Sequence, residues 1–272
     1  MIEAAPLPPL SPRQPTGGPR FQRLRVIAAL IIRDMSARFG RSAGGYFWAL
    51  AEPLGGILLL SIAFQFALRS PPIGSSFMLF YATGIIPMTT YNSMQQAVMK
   101  AVSSNRGLLS YPPVTLIDAV IAKFLLNTLT SGVVAAVLFS SIILYDGLYV
   151  TLSPGPLVAG FLLAALLGLG VGSVNCVLTG FFPTWRNIWA VITRPLFILS
   201  GVFFLYESVP PGFQHILWWN PLVHVIGLLR SGIFATYQPD FVSYPYILGV
   251  SLGLFAVGGW LMRRHAAWLI EQ

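Results

Sequence analysis

Charge is what this sequence has least of. Only 9% of its 272 residues are Asp, Glu, Lys or Arg, against about 25% in a soluble domain. Another 56% are hydrophobic, and the mean hydropathy is +0.75. So little polar surface excludes a chain that faces water all round and points to an integral membrane protein with helical spans. The single cysteine, Cys176, sits in an apolar run; it excludes an intrachain disulfide and reads as a small buried hydrophobe. The only lysines are Lys100 and Lys123, and neither follows a glycine-rich turn, which excludes a phosphate-cradling loop. His215, His224 and His265 share no metal-ligand spacing with one another or with Cys176. Aspartates at 34, 118, 146 and 240 form no close pair of the kind a metal-dependent sugar transferase needs. No metal and no catalytic site are expected.

What the chain does have is apolar length. A helix needs about 20 mostly apolar residues to cross a hydrocarbon core of about 30 Å. Six stretches meet or approach that: Tyr46–Leu68, Phe77–Met99, Phe124–Tyr145, Leu157–Phe182, Ile188–Tyr206 and Tyr246–Met262. The second carries Thr89, Thr90, Asn92, Gln95 and Gln96, with Pro87 in its middle, so it is expected to face protein or a water-filled path. With both termini in the cytoplasm, thirteen of the 16 basic residues fall inside, seven of them Arg before residue 46. Only Arg69 and Arg230 fall outside, and Arg194 lies within the fifth span. That asymmetry fixes the expected orientation and accounts for the net charge of +8 without a nucleic acid partner.

Between spans five and six, residues 207–237 are apolar but broken at Asn220-Pro221, because proline lacks an amide and disfavours helix in the residue before it. Each piece is too short to span, and a re-entrant helix pair dipping in from outside is expected. A seventh span would put Arg263 and Arg264 outside, against the charge bias. Trp219, Asn220, Pro221, His224 and Arg230 mark this element, with His215 and His224 expected to hydrogen-bond within it. Ahead of the first span, residues 21–39 place Leu24, Ala28, Ile31, Ile32, Met35 and Phe39 on one helical face and Arg23 and Arg33 opposite. Such an amphipathic helix lies either in the inner headgroup layer or on the protein's own cytoplasmic face. Residues 1–20 contain no secretory-type apolar core, so no cleavable signal is expected; their proline density reads as a flexible cytoplasmic tail.

Two ionisable residues fall inside spans. Glu52 and Arg194 each lie near an inner end, where they serve the mouth of a pathway or snorkel to the headgroups beside Trp48 and Trp189.

Three motifs in this order resemble a known family. "LIIRDMSARFGRSAGGYFWALAEP" (30–53) is similar to the first motif of type-two ABC exporter permeases. "NRGLLSYPPVTLIDAVIAK" (105–123) and "WWNPLVHVIGLLRSGIF" (218–234) resemble the capsular polysaccharide export (KpsM-like) branch. The resemblance runs from about residue 21 to the C-terminus. It implies a transmembrane domain over 21–272 with six spans, acting as a homodimer around one channel, with two separate ATPase subunits that bind ATP and Mg; no cofactor is implied in this chain. It also implies that the loop over 100–123 carries the coupling helix that docks in the ATPase. On that reading Leu108, Leu109 and Tyr111 anchor the contact and Arg106 and Asp118 fix its register. Pro112 and Pro113 stiffen the segment that Asn105 and Gly107 help to form.

The implied activity is ATP-driven export of a capsular polysaccharide, lipid-linked at one end, across the bacterial inner membrane. Periplasmic adaptor and outer-membrane export proteins are further implied partners. A sugar path favours aromatics and neutral hydrogen-bonding groups, a description that Tyr81, Tyr91, Asn92, Gln95, Gln96, Phe203, Phe204 and Tyr206 fit; Trp218, Trp219 and Tyr244 read better as interface anchors. A cytoplasmic gate is expected at Arg38, Arg41, Tyr46, Trp48 and Glu52, where an anionic end meets arginines. Export of O-antigen or teichoic acid by the same fold is the nearest alternative. An ATP-independent secondary transporter would use Glu52 and Arg194 as its ion sites, and a membrane scaffold would need neither.

Overall fold

The computed structural model describes residues 19–39, 44–105, 107 and 114–271. Among them every regular element is helical. The chain runs α1 (Pro19–Phe39), α2 (Gly44–Ala67), α3 (Phe77–Met99), α4 (Leu116–Tyr145), α5 (Pro154–Phe181) and α6 (Trp185–Ile198). After a 3-10 turn at Tyr206–Ser208 come α7 (Pro211–Trp218), α8 (Pro221–Ile233), α9 (Tyr244–Arg264) and α10 (Ala266–Glu271). Four helices among the described residues are long and apolar enough to cross a membrane: Phe47–Ala67 of α2, α4, α5 and α9.

Local chemistry sets most helix starts. Ser76 accepts a hydrogen bond from the Leu79 amide at 3.1 Å and starts α3. Thr115 and Asp118 close a reciprocal capping box ahead of α4. Prolines in the first turns of α5, α7, α8 and α9 occupy sites where a missing amide costs nothing. The capping box starts α4 at Leu116, eight residues before the expected Phe124, so 116–123 belongs to the helix rather than to the loop expected over 100–123.

α5 is the central post, packed against α3 on one side, α9 on another and α8 near its start. Glycine lets these backbones meet. A Cβ on Gly168 would lie 2.8 Å from the Tyr91 carbonyl oxygen of α3, and one on Gly160 would lie 2.9 Å from the Leu229 amide of α8. Gly170 abuts the Ser251 carbonyl of α9, and a Cβ on Gly258 of α9 would lie 2.7 Å from Ser173. Close approach through small residues replaces the hydrophobic drive that is lacking between helices in lipid.

The fifth apolar stretch, expected as one span over Ile188–Tyr206, is helical only to Ile198. Fourteen residues make about 21 Å of helix, short of a bilayer core. Gly201 then takes φ +84°, a left-handed conformation that glycine alone adopts freely, and turns the chain away. α1 turns one side to the bundle and the other outward. Leu30 and Asp34 are buried against the bundle, while Leu24, Ile32 and Met35 remain exposed on the opposite side.

Candidate functional site

Where α3 ends and α4 begins, three elements are tied by one set of side chains. Asp34, the single acid of α1, is 8% exposed. Its Oδ2 receives the Lys123 ammonium of α4 at 2.7 Å and its Oδ1 receives Arg33 at 2.8 Å. Arg33 donates further to the Asn105 side-chain carbonyl, and Asn105 Nδ2 donates to Ala101 O at 2.6 Å, closing the turns that follow α3. These charge-assisted bonds connect α1 to Asn105, before the 106–113 segment, and to Lys123, beyond it. Neither Asp34 nor Lys123 is among the expected site residues, although a lone acid on a basic and apolar helix marks Asp34 as a candidate ion-pair member.

The expected coupling residues divide in two. Arg106, Leu108, Leu109, Tyr111, Pro112 and Pro113 lie outside the described residues, and Gly107 is exposed. Asn105 and Asp118 are 2% and 5% exposed. Asp118 Oδ2 accepts from the Thr115 amide at 3.1 Å and the Thr115 hydroxyl at 2.6 Å. Asp118, expected to fix the register of a partner, is instead the cap of its own helix. At the expected gate, Arg41 and the side chains of Arg38 and Tyr46 also lie outside the described residues. Trp48 and Glu52 are exposed on α2, on either side of the turn that leads to the buried Pro53.

Three of the residues expected to line a channel are enclosed within the subunit. Tyr81, Tyr91 and Gln95 are 0%, 2% and 2% exposed, because α3 runs through the middle of the subunit and the α5 glycines draw it in. Tyr81 packs against Phe64 and Phe80, with ring centroids at 5.3 and 5.2 Å. Asn92 is half-buried and Gln96 exposed. Phe203 and Tyr206 are half-buried, Phe203 against Phe64 and Phe197, and Tyr206 stacked on Phe241 at 4.2 Å.

At the other end of the bundle, the non-helical stretch after α6 carries carbonyls that must find donors. Asn220 Nδ2 donates to Leu199 O at 3.0 Å, while its own side-chain oxygen caps α8 by accepting from Leu222 N at 3.1 Å. Arg230 of α8, 2% exposed, donates to Val202 O at 3.1 Å and to Phe204 O at 3.0 Å. Its guanidinium lies 4.3 Å from the centroid of the Phe80 ring. Two side chains thereby satisfy three carbonyls of the interrupted helix. His224 is oriented by Trp218 O at 2.7 Å and by the Ser243 amide, which donates to Nδ1 at 3.3 Å; that pair of contacts fits a neutral ring with its proton on Nε2. Trp219 and His215 are exposed. The Tyr237 hydroxyl donates to the Glu207 carboxylate oxygens at 3.1 and 3.2 Å. Burial and that carboxylate push its pKa up, which keeps the donor proton in place.

α6 is the least enclosed of the long apolar elements, with no buried residue. Ile188, Val191, Ile192 and Ile198 are exposed along it, and Arg194 is exposed among them.

The chain is similar to several characterised transport proteins. The polysialic acid transport protein KpsM of Escherichia coli is 32% identical over 233 residues, covering 85% of this chain and 90% of that protein. The capsule polysaccharide export inner-membrane protein CtrC of Neisseria meningitidis is 26% identical over 234 residues, covering 86% and 88%. BexB of Haemophilus influenzae, of the same description, is 23% identical over 234 residues, with the same two shares. The family described as ABC-2 type transporter matches residues 25–234, from α1 to the end of α8. With a match over most of its length and a relative at 32% identity, this chain belongs to the ABC-2 type transporter family.

Proposed function

We propose that this chain is the membrane-spanning permease of an ATP-driven exporter, carrying a lipid-linked capsular polysaccharide across the bacterial inner membrane. The observation that carries the reading is the 32% identity to a polysialic acid transport protein over 85% of the chain, joined by two capsule export relatives of inner-membrane description. Six spans are proposed, the fifth being α6 with its non-helical continuation, and α7 and α8 form the re-entrant pair. Both termini are cytoplasmic, a reading the distribution of basic residues supports.

Two copies enclose one path. The support is physical: an exposed arginine costs about 2.5–3.5 kcal/mol at the centre of a lipid-facing helix, and Arg194 is exposed on a helix with no fully buried residue in its own subunit. A second copy, or the aqueous path between copies, removes that cost. The same reasoning applies to Glu52 on α2. Asn92, Gln96, Phe203, Phe204 and Tyr206 remain the candidates for the path, and Trp48 and Glu52 for its gate with Arg38, Arg41 and Tyr46.

ATP and Mg are held by two separate ATPase chains, which grip residues 106–113. Motion received there passes to α3 and α4 directly and to α1 through Asn105, Arg33, Asp34 and Lys123. Periplasmic adaptor and outer-membrane proteins carry the polymer onward. Replacing Leu108 and Leu109 together with Asp tests the central contact. Loss of the ATPase on co-purification, with polysaccharide retained inside cells, is expected; full recovery of the ATPase with undiminished export would sink the proposal.

A further inference from the structure

The groove between α4, α5 and α9 has a composition and a location that the export reading does not use. It encloses about 270 Å³ and runs beside the last turns of α9. From Phe255 to Arg263 is eight residues, about 12 Å along the helix. Val120 of α4 and Phe255, Trp260 and Met262 of α9 supply apolar walls. Ser173 is polar, but its hydroxyl already donates to Leu169 O at 2.7 Å. Arg263 stands at one end, and no acidic residue lines the space.

Two adjacent glycines show how the groove arises. Gly258 faces α5, where a Cβ would collide with the Ser173 backbone at 2.7 Å, whereas a Cβ on Gly259 would meet nothing within 4 Å. The first holds the helices together and the second leaves the groove open. Arg264 extends the cationic end, its guanidinium 5.3 Å from the centroid of the Trp260 ring, and Trp260 is 57% exposed. Among the described residues neither Arg263 nor Arg264 meets a carboxylate. A cleft that is apolar along its length and cationic and aromatic at one end matches a lipid with a hydrocarbon tail and an anionic head. Basic pockets between spans on the cytoplasmic side are established binding places for such heads.

We propose that this groove holds one anionic phospholipid of the inner leaflet, its acyl chain along Gly259 and Trp260 and its phosphate against Arg263 and Arg264. The inference takes from the proposed function only that α9 crosses the bilayer with its arginine end inside.

The test uses the full chain in nanodiscs of phosphatidylcholine doped with phosphatidylglycerol or phosphatidylcholine carrying brominated acyl chains. Fluorescence quenching of Trp260 is read as the difference between the unaltered chain and Trp260→Phe. Brominated phosphatidylglycerol is expected to reach half-maximal quenching at about fivefold lower mole fraction than its phosphatidylcholine counterpart, the order of effect of one arginine at a membrane surface. Arg263→Gln with Arg264→Gln should remove that preference. Gly259→Leu, which fills open space and favours helix, should reduce quenching by both lipids. Equal quenching by both lipids in the unaltered chain marks a non-selective bilayer contact and overturns the proposal. Quenching by neither, as when another protein covers the groove, overturns it too, as does a Gly259→Leu variant quenched as before. None of these readouts depends on export, so their failure leaves the export reading standing.

Discussion

Arg230 offers a direct measure of how the interrupted fifth span is held. Its guanidinium gives one hydrogen bond each to Val202 O and Phe204 O, at 3.1 and 3.0 Å, and rests on the face of Phe80. Bonds from a charged donor are worth about 1.5–3 kcal/mol each, and the ring contact about 0.5–2 kcal/mol. Replacing Arg230 with Met keeps the apolar stem and relieves the several kcal/mol of holding a charge away from water. It also leaves two carbonyls without donors, at about 1–3 kcal/mol each. The balance for Arg230→Met is therefore a loss of about 2–4 kcal/mol. Lysine, a point donor rather than a planar fork, reaches one carbonyl at a time and should lose about half as much. The assay is the fraction of detergent-solubilised protein that stays monodisperse after heating, together with protease cleavage between residues 199 and 210. The expected order of survival is Arg, then Lys, then Met, with cleavage rising in the same order. A Met variant as heat-resistant as the unaltered chain, or a Lys variant no better than Met, would refute the reasoning.

Asp34→Asn leaves the Lys123 ammonium, 15% exposed, without its counter-charge. Breaking a buried pair costs about 3–5 kcal/mol; partial exposure here lowers the expected loss to about 2 kcal/mol. Polymer exported per ATP hydrolysed should fall more than hydrolysis itself, and the exchange Asp34→Lys with Lys123→Asp should restore part of it. An unchanged ratio in Asp34→Asn would remove α1 from the transmission path. Neighbouring glycines should respond with opposite signs. Gly258→Ala forces α9 away from α5, at about 1–3 kcal/mol for an overpacked contact, whereas Gly259→Ala gains about 0.8–1 kcal/mol of helix propensity in open space. Thermal survival of the two single variants against the unaltered chain measures both.

Much of the architecture was legible because it depends on apolar length and on proline. The break at Asn220-Pro221 appears where the missing proline amide required it, between α7 and α8. The stretches expected as the first and fourth spans agree with α2 and α5 to within three residues at either end. Elsewhere hydropathy could not see what satisfies a backbone. Ile188–Tyr206 reads as one continuous span, yet Asn220 and Arg230, from a distant element, supply the donors that let it stop at Ile198. Asp118 shows the same limit on a smaller scale. A Thr115-x-x-Asp118 pattern is a helix start by its spacing, but a carboxylate in an expected coupling loop equally suits a contact with a partner. The polar residues of α3 announced that lipid would not suit them. Whether they meet a channel or their own subunit depends on glycines 70 to 80 residues further along, a pairing that no local pattern contains.

The enclosure of α3 sets a condition on how the chain is made. Tyr91 and Gln95, whose backbone packs closely on Gly168 and Gly172 of α5, leave the ribosome well before α5 has been synthesised. Released alone into hydrocarbon, α3 would expose the Asn92 and Gln95 amides to a medium that offers them no partner, whereas Thr83, Thr89 and Thr90 bond carbonyls of their own helix. The insertion machinery must therefore shelter this helix until residues 154–181 arrive, and a nascent chain truncated before residue 154 should stay beside the insertase while one truncated after residue 181 moves into the lipid.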